Sequence, residues 1–315
     1  EEAKDKNSCM HSSGDLLSAC ECYEQSLALW KEESDKPSLM ACCEALGGVC
    51  FQLDEHLRSI ECYVQYLALS HEIGDGAADH QILLRLGVSN AAIGEDAVAL
   101  EFLKQALASF ADLGDLASRT VCLQHIGRLE GKMGRPEEGL LALQQALRLR
   151  KEVNDQQGAA DCQQEVGLLY LREGRSLEAR EALEEVKRQL TDFGNQLGTA
   201  TVTMHIGSTL AAEGRHKEAA QTFKAALAVG EASSKEWDQK PECLTCLGSA
   251  LLELKDAAAV PTLEQALVVW QERGNRAGEA ALLMRLAEAN LSLQSRELAF
   301  RQVEQSLELR KVISD

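Results

Sequence analysis

One interval constrains this chain more than any motif does: residues of the same kind return every forty positions along its 315 residues. Small side chains stand at Ala19, Ser59, Ala99, Gly139, Ala179, Ala219, Ala259 and Ala299. Seven positions further on come Ser26, Tyr66, Ala106, Ala146, Val186, Ala226, Ala266 and Ser306, and the next residue is leucine in every repeat except at Lys187. A glycine series runs Gly47, Gly87, Gly127, Gly167 and Gly207, then slips by one to Gly248 and ends in Ala287. The slip implies one inserted residue between Gly230 and Gly248, with one deletion before Ala259 that restores the phase. A fixed period of this length is the mark of stacked repeats rather than of a single globular core.

The segment from Gly127 to Gly167 shows what one repeat contains. Gly134-Arg135-Pro136 separates two helical patterns, the first ending near Met133 and the second running from Leu140 to Val153 with apolar residues three and four apart. Pro136 suits the first turn of a helix, where its missing N–H has no intrahelical partner. Asn154-Asp155 closes the second helix and Gly158-Ala159-Ala160 opens the next one. The recurrent glycine and small residues belong where two helices cross, because a larger side chain there would push the helices apart.

This order of glycine in a first helix, a turn, and two small residues seven apart in a second helix resembles the tetratricopeptide repeat. Gly74-Asp75, Gly114-Asp115 and Gly274-Asn275 resemble the turns in the long repeats of the LGN/Pins group, with kinesin light chain and rapsyn as looser relatives. The resemblance implies an all-α, right-handed α-solenoid of tandem helix pairs, with about seven full repeats and a partial first one. The expected domain is a single one over residues 1–315, with repeats ending near 35, 75, 115, 155, 195, 235, 275 and 315. Residues 1–13 are too polar to read as a clear helix, and Gly14-Asp15 is expected to turn into the helix that carries Ala19. Tyr63 and Tyr66 predict a wider helix crossing in the second repeat. Glu231 to Pro241 carries the inserted residue and predicts an irregular seventh repeat, and Pro261 predicts a kink or a late start for the helix that contains it. The final LELRKVISD stops on a repeat boundary, which is expected of an excised segment or of an array lacking a capping helix.

Composition narrows the function. A formal net charge of −18 disfavours general binding to nucleic acid phosphates or anionic membranes. No apolar run approaches the roughly 18 residues of a membrane span, and the start Glu-Glu-Ala-Lys-Asp-Lys is no signal peptide. The expected location is therefore cytoplasmic. Of the 11 cysteines, Cys42, Cys122, Cys162 and Cys243 share one repeat position and Cys22 and Cys62 share another, so they are expected to lie a repeat apart as small core residues in a reducing compartment. Cys243 and Cys246 have the spacing of a zinc or redox pair, but lack a second pair nearby and fall within a helix.

No phosphate loop, dinucleotide fingerprint, HExxH or GxSxG occurs, so no enzyme activity, cofactor or metal is expected. Binding is the expected role. In tetratricopeptide arrays the first helix of each pair lines the groove, and by that resemblance the groove positions include Leu84, Arg85, Val88, Gln124, His125, Arg128, Lys132, Gln164, Leu168, Arg172 and His205. Arg85, Arg128, Lys132 and Arg172 form a basic stretch in an acidic chain, and an arginine fork suits carboxylates. Gln124 and Gln164 can bond a peptide backbone. The expected partner is a protein or peptide segment with carboxylates flanked by apolar residues, its oligomeric consequences open. The alternative is a structural or self-associating element that packs through its convex face or its ends.

Overall fold

The structure is a computed structural model and describes residues 13–233, 237–292 and 294–314. Among them are fifteen α-helices and no strand. The chain divides into two compact units, Glu1–Asp155 and Gln156–Asp315. The first unit holds α1 (Ser13–Glu33), α2 (Lys36–Gln52), α3 (His56–Ile73), α4 (Asp79–Ala92), α5 (Asp96–Leu113), α6 (Leu116–Lys132) and α7 (Pro136–Glu152). The second holds α8 (Gln156–Arg172), α9 (Ser176–Asp192), α10 (Gln196–Ala212), α11 (His216–Ser233), α12 (Lys240–Glu253), α13 (Ala259–Glu272), α14 (Arg276–Ser292) and α15 (Arg296–Ser314). Even-numbered helices are the first members of pairs and odd-numbered ones the second, with α1 preceding the first full pair. Each unit is thus an all-α stack of tandem helix pairs, as the repeat predicts. Residues 1–12, expected to be too polar for a clear helix, lie outside the described residues, and Gly14 and Asp15 fall within the first turn of α1.

The helix boundaries follow from capping. The Asp115 carboxylate accepts from the Ser118 N–H at 3.1 Å, the Asn195 side chain from Gly198 N–H at 2.9 Å, and that of Asn275 from Gly278 N–H at 2.9 Å. These acceptors satisfy orphan donors of the first turn. α6, α10 and α14 therefore begin directly after the Asp or Asn of their turns, and α8 opens at Gln156 rather than at Gly158. Gly134, with φ of 76°, ends the turn between α6 and α7 in the left-handed region that glycine enters without strain.

The period is also the geometry of packing. A β-carbon at Gly47 would stand 2.6 Å from the Tyr63 ring, at Gly87 2.6 Å from Leu103, at Gly127 2.6 Å from Leu143, at Gly167 2.9 Å from Leu183 and at Gly207 2.6 Å from Phe223. Each partner lies sixteen residues on; for Gly248 it is Leu263, fifteen on and 2.5 Å away, because the slip falls between them. At Gly47 the flat Tyr63 ring lies where leucine lies in other repeats. Buried residues of both helices of each pair continue into the next pair. Cys43, Tyr63, Tyr66, Ile82 and Leu86 form one such cluster, and Leu183, Val202, Ile206, Phe223 and Leu247 belong to another.

The irregular repeat is sealed by an aromatic side chain. Trp237 is buried and its ring covers Gly230, while Arg273 donates to the Trp237 and Asp238 carbonyls at 2.9 and 2.5 Å. Residues 234–236, in the segment expected to carry the inserted residue, lie outside the described residues. Pro261 is the third residue of α13, which starts at Ala259; the late start keeps its ring in the first turn, where no N–H is missed. No described helix is long and apolar enough to cross a membrane.

Candidate functional site

In the first unit α4 lies against α6, so the faces carrying Leu84, Arg85 and Val88 and carrying Gln124, His125, Arg128 and Lys132 belong to neighbouring helices. Arg85, Arg128 and Lys132 are exposed; Leu84, Val88, Gln124 and His125 are half-buried. Leu84 packs on the Ala106, Phe110 and Cys122 cluster, which makes it a support of the face as much as a contact surface. Gln124 accepts from Arg150 at 3.4 Å. Lys132 pairs with Asp96 of α5 at 2.8 Å, so its charge is already met. In the second unit Gln164 and Leu168 are half-buried and Arg172 exposed on α8, and His205 is half-buried on the adjoining α10.

Arg85 differs from Lys132. Its Nη1 donates to the Tyr63 hydroxyl at 3.1 Å, and among the described residues it forms no ion pair. The same nitrogen would lie 3.2 Å from a β-carbon at position 48, so Gly48 leaves the guanidinium its place. Tyr63 is itself locked under Gly47. A neutral phenol therefore orients the fork without neutralising it, which leaves a charge able to bind a carboxylate.

This guanidinium forms one wall of a cavity of about 330 Å³. The other walls are Leu16, Ala19 and Tyr23 of α1 and Ala41, Glu44, Ala45, Gly48, Val49 and Gln52 of α2. The floor is made of small and aliphatic side chains, with Glu44 and Gln52 as acceptors and Arg85 as donor. Sequence reasoning places Glu44, Ala45, Gly48 and Gln52 on the same helix face but does not find the α1 wall. The signal was Ala19: a small residue of the repeat series leaves room beside Ala45 that larger side chains would fill.

His125 and His205 occupy one repeat position, and burial depresses both. The pKa of His125 falls to about 4 by burial and by the neighbouring Arg128 charge, and that of His205 to about 4 by burial. Both are neutral imidazoles at neutral pH, able to donate and accept one hydrogen bond each. Cys243 and Cys246 lie within α12; burial raises both thiols, Cys246 to about 11. No group of three or more His, Cys, Asp or Glu able to hold a metal ion occurs among the described residues.

Residues 159–232 match the tetratricopeptide repeat family model. No curated protein sequence matches the chain. Among solved structures, the apo form of the quorum sensor NprR from B. thuringiensis superposes with a TM-score of 0.73 at 15% identity, over 94% of this chain and 83% of that one. The apo form of RapI gives 0.69 at 14% identity, over 87% and 98%. A Rap protein complexed with competence and sporulation factor gives 0.64 at 15% identity, over 99% and 90%. At these identities the likeness is one of fold. The matched segment and the shared fold together support a repeat protein of the tetratricopeptide type.

Proposed function

We propose that this chain is a protein-interaction scaffold whose first helices bind a partner segment, with Arg85 as the main anchor in the first unit. The observation that carries this is the Arg85 guanidinium, held by a neutral hydroxyl at the wall of a cavity in a chain of net charge −18. A carboxylate of the ligand meets Arg85, its apolar side chain rests on Leu16, Ala19, Ala45 and Val49, and Glu44 and Gln52 accept its backbone N–H groups. Val88, His125 and Arg128 extend the face along α4 and α6. Gln164, Leu168, Arg172 and His205 offer a similar face in the second unit. The Rap protein of similar fold, solved in complex with competence and sporulation factor, supports the reading that such a fold holds a partner.

The forty-residue period, which resumes its phase at Ala259 after the slip in the seventh repeat, supports reading the repeats as one domain, and their length supports the LGN/Pins type of repeat. The role is binding rather than catalysis, in the cytoplasm, where a chain carrying so many buried free thiols stays reduced.

The experiment is a pull-down from native lysate with the intact chain against one carrying Arg85→Glu, Arg128→Glu and Arg172→Glu. Partners held through the first-helix faces are lost from the variant. Retention of every partner by a variant of unchanged helicity removes the assignment and leaves the outer faces as the binding surface.

A further inference from the structure

Three thiols that occupy unrelated repeat positions meet at one place in the first unit. Cys20 of α1, Cys50 of α2 and Cys62 of α3 pack together with Leu46, Tyr23 and Val49. Arg58 of α3 donates through Nη2 to the Cys20 sulfur at 3.6 Å, while its other bonds go to Glu55 at 2.5 Å and to Glu24. Cys50 and Cys20 are both buried members of this cluster. Cys243, by contrast, donates to the Phe223 carbonyl at 3.6 Å.

We propose that Cys20 and Cys50 form a peroxide-sensitive thiol pair, in which Cys20 is oxidised first and Cys50 resolves it into a disulfide tying α1 to α2. Cys20 is the reactive member because the Arg58 guanidinium lies on its sulfur and because it retains 6% exposure, whereas Cys50 has none. In the first step the Cys20 thiolate attacks hydrogen peroxide; an S–O bond forms, the O–O bond breaks, and hydroxide leaves and takes up the proton that Cys20 lost. In the second step the Cys50 sulfur attacks the sulfenic sulfur; the S–S bond forms, the S–O bond breaks, and the hydroxyl leaves as water with the Cys50 proton. Two thiols and one peroxide become one disulfide and two waters. Burial holds the Cys50 thiol up to about 12, so it keeps that proton until the leaving hydroxyl needs it.

The pair lies directly behind the Arg85 cavity. Tyr23 and Val49 belong to both the thiol cluster and the cavity wall, and Ala19 of the wall precedes Cys20 in the chain. A disulfide here fixes the α1 wall against α2. That consequence for binding rests on the proposed function above; formation of the bond does not.

The test treats the full chain with hydrogen peroxide, alkylates the remaining thiols after denaturation, and maps the peptides without reduction. The expected product is a Cys20–Cys50 linked peptide, two hydrogens lighter than its parts and split by reductant, with Cys122, Cys162 and Cys243 alkylated. Arg58→Leu slows its appearance by roughly tenfold, because the cation beside the Cys20 sulfur is gone, and Arg58→Lys restores most of the rate in a chain of equal helicity. A chain whose exposed Met133 is oxidised while Cys20 and Cys50 stay free overturns the proposal, as does linkage to Cys62 instead or an Arg58→Leu rate equal to that of the unaltered chain. Because the readout is the bond itself, it fails independently of any ligand.

Discussion

Gly127 faces Leu143 so closely that a β-carbon on the glycine would stand 2.6 Å from the leucine Cγ and 2.9 Å from the Gly139 carbonyl oxygen. The leucine can turn; the carbonyl, being backbone, cannot move without α7. Gly127→Val forces the helices of that pair apart at an overpacking cost of about 1–3 kcal/mol. Gly127→Ala costs less, since alanine returns about 1 kcal/mol of helix propensity. Urea denaturation of the two variants orders them, and equal stability to the unaltered chain would show that α6 and α7 do not cross there.

Gly134 fails for a different reason. Nothing lies within 4 Å of its added β-carbon, yet its φ is 76°. Gly134→Ala therefore costs about 1–2 kcal/mol from backbone strain alone, and Gly134→Asn costs less because asparagine tolerates the left-handed region. A larger loss for Asn than for Ala contradicts this account.

Trp237 substitutes for the regular turn in the seventh repeat, with 2% of its surface exposed and its backbone carbonyl held by Arg273. Trp237→Ala removes that seal and destabilises the second unit by about 3–5 kcal/mol. Hydrogen exchange should locate the loss in α11 to α13, since stacked repeats couple to their neighbours. Loss spread evenly over both units argues against it.

Acid sensitivity follows from the two half-buried histidines, His125 and His205. Their folded pKa values of about 4 lie below the ordinary 6.5, so the unfolded chain takes up protons first as the pH falls. Their contribution is complete above about pH 6.5 and is lost between there and about pH 4, at most about 1.4 kcal/mol per pH unit for each. His125→Gln and His205→Gln should each flatten that slope in urea titrations across the window. An unchanged slope means that the imidazoles are not desolvated enough to lower their pKa values.

Much of this fold is legible in sequence because each crossing repeats one pair of residues: Gly87 with Leu103, Gly127 with Leu143, Gly207 with Phe223. The period states that contact outright. The candidate site is less legible, because its charges are settled by partners from other helices: Asp96 meets Lys132, while Tyr63 meets Arg85. The cysteines show the same limit. The expectation that the cysteines lie a repeat apart comes from shared repeat positions, whereas Cys20, Cys50 and Cys62 meet because they come from three different helices at three different phases. Trp237 carried no periodic signal, since it fills the place where the period breaks.

The central claim is that Arg85 is a charge held ready for a carboxylate, and the direct measurement is fluorescence anisotropy with a paired peptide set. One peptide series alternates aspartate with leucine and the other alternates lysine with leucine, each titrated with the unaltered chain, Arg85→Glu and Arg285→Glu. Arg285 is the control because Glu288 already pairs with it at 3.0 Å. The account predicts preference for the acidic series, a loss of roughly tenfold or more for Arg85→Glu, equivalent to about 1.4 kcal/mol or more, and little change for Arg285→Glu. Equal affinity of the unaltered chain and Arg85→Glu for the acidic series, or tighter binding of the lysine series by the unaltered chain, contradicts it.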